Sequence, residues 1–194
     1  SPWMQKLPGG LIHVNVVGCA LFAAISGSSA ATVATVGKMS IPELRKRNYP
    51  EKILLGSLAG SGTLGLLIPP SIILIIYGVA VQESIAKLFI AGIIPGIMIA
   101  LIFMSYVIIW SLINKKSMPK IIEEYSFLEK IKRSKQLLPV IILILAVIGS
   151  IYTGIATATE AASLGVVGAL ILSYFQKSLT LKTFKSSLLG ATKT

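Results

Sequence analysis

Between residues 11 and 39, two apolar segments flank a polar one, and neither is long enough to cross a bilayer. Leu11 to Ile25 is fifteen residues without a charge unless His13 is protonated. Val33 to Met39 follows on the far side and runs into a basic stretch that opens at Lys38. Between them stands Ser26-Gly27-Ser28-Ser29-Ala30-Ala31-Thr32, in which four of seven residues carry hydroxyls and none is large. A spanning helix needs roughly 20 apolar residues, and runs of about 10–14 fit a re-entrant segment or a buried core helix. The spacing predicts a re-entrant helical hairpin over 11–39, with the polar stretch at its tip inside the membrane. Irregular backbone survives at that depth only where protein buries it or a wet cavity touches it. Such a tip is a candidate ion or substrate site. A helix contact built from Ser, Gly and Ala would show the same composition.

Membrane residence follows from composition. The chain is 54% hydrophobic and 13% charged, with a mean hydropathy of +0.84, and its recurring apolar runs are those of an all-α integral membrane protein. No alternating pattern of the outer-membrane barrel kind is present. A net charge of +11 could point to nucleic acid, but its placement argues against that partner. Sixteen of the 18 Lys and Arg fall in three clusters, Lys38 to Lys52, Lys115 to Lys135 and Lys177 to Lys193. These lie between apolar runs, as cytoplasmic loops do under the positive-inside rule. All seven acids are Glu. The lone Cys19 sits in an apolar run, so it reads as a buried thiol with no disulfide, and no Cys/His metal cluster is available. The chain opens on Ser1 and its last residues stop in mid-pattern, so it reads as a piece of a longer membrane protein.

Taken in order, Trp3 and Lys6 form an interfacial anchor, and Gly9-Gly10 turns into the first hairpin arm. His13 and Asn15 lie near that entrance, His13 as a hydrogen-bonded structural residue or a proton carrier. Ile41-Pro42-Glu43 fits a short helix start, and Asn48-Tyr49-Pro50 fits a turn. Residues 53–80 are long enough to span but are interrupted by Gly56, Gly60, Gly62 and Gly65, and then by Pro69-Pro70. Proline lacks an N–H and pushes its predecessor out of helical geometry, so the helix is expected to break near Gly62 to Ser71. Freed carbonyls attract small cations, and a half-helix N-terminus attracts anions. A simple proline kink is the competing reading. Residues 88–113 form a full span with Pro95 inside it. Residues 114–136 are expected to form a basic amphipathic linker helix on the cytoplasmic surface, with anionic lipid as its partner. Residues 137–194 begin a second repeat. There Glu160 lies among small residues, either as a functional ionisable group or as part of a Thr157–Glu160 capping box.

A polar re-entrant tip with a discontinuous helix is the architecture of an elevator-type transporter built from inverted repeats. The motifs are Gly9-Gly10-Leu11-Ile12-His13-Val14-Asn15-Val16, the Ser26 to Thr32 tip, Gly62-Thr63-Leu64-Gly65-Leu66-Leu67-Ile68-Pro69-Pro70-Ser71-Ile72 and Ile75-Ile76-Tyr77-Gly78. They continue through Leu88-Phe89-Ile90-Ala91-Gly92-Ile93-Ile94-Pro95-Gly96 and Gly154-Ile155-Ala156-Thr157-Ala158-Thr159-Glu160-Ala161-Ala162. On these residues the chain resembles the large membrane subunit of TRAP transporters, the DctM family, over nearly its whole length. The family commonly has Pro where this chain has Ala158, which should loosen a turn.

The resemblance implies a non-enzymatic, Na+-coupled importer of carboxylates in a bacterial or archaeal inner membrane, multi-pass and without an organic cofactor. It implies a periplasmic substrate-binding protein and a small membrane subunit as partners, and C4-dicarboxylates or sialic acids as typical substrates. Na+ would sit near Ser26, Ser28, Ser29, Gly62, Gly65 and Ile68, where carbonyls and hydroxyls supply oxygen ligands. The substrate carboxylate would meet amides and hydroxyls at Thr32 and Ser71. A standalone Na+-coupled anion symporter or a structural membrane subunit would fit the same residues. Nucleophile triads and paired carboxylates, the marks of an enzyme, are missing from the sequence.

Overall fold

The computed structural model describes residues 4, 5, 7–119 and 138–192. Among them there are eight α-helices and no strand. The chain divides into two compact units, Ser1–Ile131 and Lys132–Thr194. Most of the expected linker helix over 114–136 lies outside the described residues. Only its start is seen, as a short 3-10 turn at Lys115–Ser117.

In the first unit, α1 (His13–Ser26) and α2 (Ser29–Lys46) form a hairpin. Gly27 ends α1 in the left-handed region at φ 60, ψ 10, which glycine adopts without a Cβ penalty. Ser28 is the N-cap of α2 and its hydroxyl accepts from Ala31 N–H. The non-helical tip is therefore only Gly27-Ser28, shorter than the expected 26–32, because the Ser28 cap starts α2 at once and carries Ala30 to Thr32 into the helix. At the other end α2 runs beyond Met39 to Lys46, with Pro42 inside it rather than at a fresh helix start. Buried Val36 and Leu44 lie on either side of Pro42, and their packing holds the helix through the missing N–H.

α3 (Glu51–Gly62) packs against both arms of the hairpin. Leu11, Leu44 and Leu54 form one apolar layer, joined by Val14, Ile41 and Tyr49. Cys19, Val36 and Leu58 form another, joined by Phe22, Val33 and Ile41. A third cluster brings Ile12 and Ile53 onto Val107 of α5 (Ile85–Ile113). The entrance turn is fastened to the α2–α3 connection, where Leu11 N–H donates to Tyr49 Oη at 3.0 Å. His13 Nε2 bonds the Pro8 carbonyl at 2.8 Å, the structural role of the two considered. Two ion pairs, Arg45–Glu51 and Arg47–Glu43, each at 2.7 Å, tie the same end together. Both are exposed and each contributes at most about 1 kcal/mol.

After α3 the α-helical ladder stops. Thr63–Leu66 is a 3-10 turn, residues 67–71 are irregular, and α4 (Ile72–Val81) then starts. α5, with 29 residues, is the one helix among the described residues that is long and apolar enough to cross a membrane by itself. In the second unit α6 (Leu138–Tyr152) packs on α7 (Ala158–Phe175), and α8 (Leu181–Thr192) follows. α7 opens on a full capping box. Thr157 N–H and Oγ1–H both donate to the Glu160 carboxylate at 2.8 Å, and Glu160 N–H donates back to Thr157 Oγ1. Glu160 thus has a local structural task.

Leu54 is fully buried where α1, α2 and α3 meet. Leu54→Ala is expected to lower stability by about 2–5 kcal/mol, measured by reversible unfolding in mixed micelles.

Candidate functional site

The hairpin tip and the interrupted segment lie against each other. Pro69 and Pro70 have no N–H, so the carbonyls of Gly65 and Leu66 lose their i+4 donors. Ser71 Oγ donates to Leu66 O at 2.6 Å. The first amide of α4, Ile72 N–H, donates across to Gly27 O at the tip, at 3.3 Å. A Cβ built on Gly27 would lie 2.6 Å from Pro70 O, and one on Gly65 would lie 2.9 Å from both Ser28 C and Ser29 N. Only glycine permits backbone to approach backbone this closely. The Pro69-Pro70 bond is cis.

The expected site residues divide into three groups. The Ser26 and Thr32 hydroxyls close on the backbone carbonyl of Ser28, whose own hydroxyl caps α2. Ser26 Oγ and Thr32 Oγ1 are 3.0 Å apart, and Thr32 Oγ1 donates to Ser28 O at 2.7 Å. Ser28 O also accepts from Thr32 N–H at 3.0 Å and from Ser26 Oγ at 3.3 Å. Thr32 and Ser71 are both fully buried and both hydroxyls are used internally. Their hydroxyls therefore shape the tip and the break. Ser29 forms the second group alone. Its Oγ is buried and has no hydrogen-bond partner among the described residues, and its own N lies against Gly65. The third group is backbone. Gly62 lies against Val33, Gly65 against Ser28–Ser29, and Ile68 against Gly96 of α5.

No residue of 26–32 or 62–72 is charged. The donor set is oxygen only: hydroxyls, and carbonyls freed by the two prolines. Oxygen ligands suit hard cations, and a neutral set suits a monovalent one. The ten-residue α4 presents the other polarity. Its N-cap Ser71 makes no side-chain capping bond and Ile72 N–H is used on Gly27 O, which leaves the amides that follow Ile72 in the first turn to offer to an anion.

Two residues outside the expected set position this site. Gly92 backs onto Leu67 O, 2.8 Å from a built Cβ, and Gly96 backs onto Ile68, 2.9 Å from one. They let the irregular segment sit flush on α5. Their Gly-x-x-x-Gly spacing, a known signal for close helix packing, was the cue available in the sequence.

A family model described as Tripartite ATP-independent periplasmic transporter, DctM component, matches residues 4–194. The chain belongs to the DctM family. It is 39% identical over 168 residues to the C4-dicarboxylate TRAP transporter large permease protein DctM of Pseudomonas aeruginosa, covering 86% of this chain and 38% of that protein. It is 38% identical over 185 residues to the sialic acid TRAP transporter permease protein SiaT of Haemophilus influenzae, covering 94% of this chain and 29% of that protein. It is likewise 38% identical over 171 residues to the ectoine/5-hydroxyectoine TRAP transporter large permease protein UehC of Ruegeria pomeroyi, covering 88% and 39%. The chain thus spans well under half the length of these DctM relatives.

Gly65→Ala tests the tip–break contact in this DctM chain. A methyl group there must displace the Ser28–Ser29 backbone, an overpacking cost of about 1–3 kcal/mol. Amide hydrogen exchange over residues 27–32 is expected to speed up by about tenfold or more, while exchange in α5 stays unchanged.

Proposed function

We propose that this chain carries one ion-binding half of the large transmembrane subunit of a Na+-coupled, binding-protein-dependent importer of organic acids. The observation that carries this reading is the buried contact between the Gly27-Ser28-Ser29 tip and the interrupted segment at Gly65. It gathers uncharged oxygen atoms, among them a Ser29 Oγ with no hydrogen-bond partner among the described residues. A sodium ion replaces its hydration shell with such oxygens without requiring a fixed negative charge. The α1–α2 hairpin then works as a re-entrant hairpin and α3–α4 as a discontinuous helix, the parts of an elevator-type carrier.

The relatives named for C4-dicarboxylate, sialic acid and ectoine transport have small organic acids in common as their named substrates. A substrate carboxylate fits the first turn of α4 beyond Ile72, whose own N–H is held by Gly27 O. The Thr32 and Ser71 hydroxyls are engaged elsewhere, so backbone amides are the donors in this reading. Binding the ion would fix the tip against the break, and that would complete the anion site beside it. Coupling of this kind needs only that each ligand stabilises the arrangement the other requires. In this reading the subunit is multi-pass in the inner membrane of a bacterium or archaeon. It works with a small membrane subunit and takes substrate from a periplasmic binding protein.

The test is uptake of a C4-dicarboxylate, sialic acid or ectoine into proteoliposomes by the full-length subunit with its small partner. An inward Na+ gradient would be imposed, with and without the binding protein. Uptake that requires both is expected. Uptake without the binding protein would identify a standalone symporter instead, and uptake indifferent to Na+ would remove the ion site. Ser29→Ala deletes a hydroxyl that supports no internal bond, so thermal stability should be unchanged. The Na+ concentration for half-maximal uptake should rise about tenfold, the effect of losing a contact worth about 1.4 kcal/mol.

A further inference from the structure

A polar layer interrupts the apolar packing of the first unit well away from the tip. Asn15 of α1, Ser40 of α2 and Ser57 of α3 are all buried, at 0%, 8% and 7% exposure. Pairing between the hairpin arms puts Asn15 and Ser40 at the same level. Leu11 packs with Leu44 on one side of the layer and Cys19 with Val36 on the other. Four residues inward from either pair leads to Asn15 on α1 and Ser40 on α2. The layer is closed above and below by the Leu11–Leu44–Leu54 and Cys19–Val36–Leu58 clusters, and Ile41 packs into both.

The amide of Asn15 has a defined orientation. Its Nδ2 donates to Leu54 O and to Ser57 Oγ, each at 3.0 Å, which uses both of its hydrogens. Leu54 O can only accept, so turning the amide over would set two oxygens against each other. Oδ1 therefore faces away from α3. It is buried and has no hydrogen-bond partner among the described residues. The same holds for Ser40 Oγ, whose hydroxyl does not bond back to its own helix. A buried amide oxygen and a buried hydroxyl at one level, both unpaired, are an expensive combination for a dry core.

We infer that one water molecule is bound between Asn15 Oδ1 and Ser40 Oγ. It donates to the amide oxygen and accepts from the hydroxyl. Water suits the donor set, because a buried water typically makes two to four hydrogen bonds to such groups. Two side-chain oxygens with no carboxylate are too few for a metal ion. The water completes a cross-link at one level, with Asn15 reaching α3 directly through Nδ2 and α2 through the solvent molecule. It fixes how far the hairpin slides along α3, and hence where the tip meets the break about 20 Å further along α1.

A double-mutant cycle on the full-length protein tests this by thermal unfolding in detergent. Ser40→Ala is expected to lower Tm by about 2–4 °C in the parent and to have no effect in an Asn15→Leu background, where the water has already lost its acceptor. An equal loss in both backgrounds would overturn the inference. A second measurement does not depend on either variant folding. A structure of the parent protein at a resolution that shows ordered water should contain one within hydrogen-bond distance of both atoms. A direct Asn15–Ser40 bond, or a side chain from elsewhere in the chain filling that place, would overturn it.

Discussion

Two adjacent prolines carry no N–H, and in an apolar surrounding a carbonyl that loses its donor must find another or remain unpaired at considerable cost. The first unit is assembled around that deficit. Ser71 supplies one donor to Leu66 O, and the first amide of α4 pairs with Gly27 O at the hairpin tip. The tip lacks helical partners of its own, because α1 stops at Ser26 and α2 starts at Ser29. Two irregular stretches, each incomplete, thus complete one another. The 3-10 turn Thr63–Leu66 touches α1, α2, α3, α4 and α5, which makes the break the hub of the unit.

That arrangement requires short helices to be held from the side. The 14 residues of α1 and the 12 of α3 gain their order mainly from mutual burial. Apolar layers at Leu11–Leu44–Leu54 and Cys19–Val36–Leu58 align the hairpin with α3, and the polar layer between them sets its register. Gly92 and Gly96 allow α5 to support the irregular segment from behind. The irregular backbone of the tip and the break is thus backed by packed helices. Among the described residues of the tip and the break, the polar groups are neutral oxygens and helix-end amides, with no charged side chain.

Several of these features were legible in the sequence. The Gly62–Gly65 run and Pro69-Pro70 mark the interruption, because proline chemistry acts locally whatever the fold. The small hydroxyl-rich run Ser26–Thr32 marks the region where the two arms meet. Thr157 and Glu160 mark a helix start at fixed spacing. Other features were not legible. The tip is shorter than its polar composition implies, because one capping serine was enough to start α2. Pro42 does not divide α2, because Val36 and Leu44 are buried on either side of it. That the Thr32 and Ser71 hydroxyls bond to Ser28 O and Leu66 O could not be read from the sequence either.

The sequence by itself determined the helical membrane class, the places where helices stop and the kinds of atom available there. Those follow from hydropathy, from the missing proline hydrogens and from side-chain chemistry, all of which act within a few residues. Tertiary structure alone decided which hydroxyls are engaged and which, like Ser29 Oγ, have no partner among the described residues. It also decided that Gly65 faces Ser28–Ser29 and that Asn15 and Ser40 share a layer. These depend on the register between helices distant in sequence, which is set by the packing of whole faces rather than by any local signal.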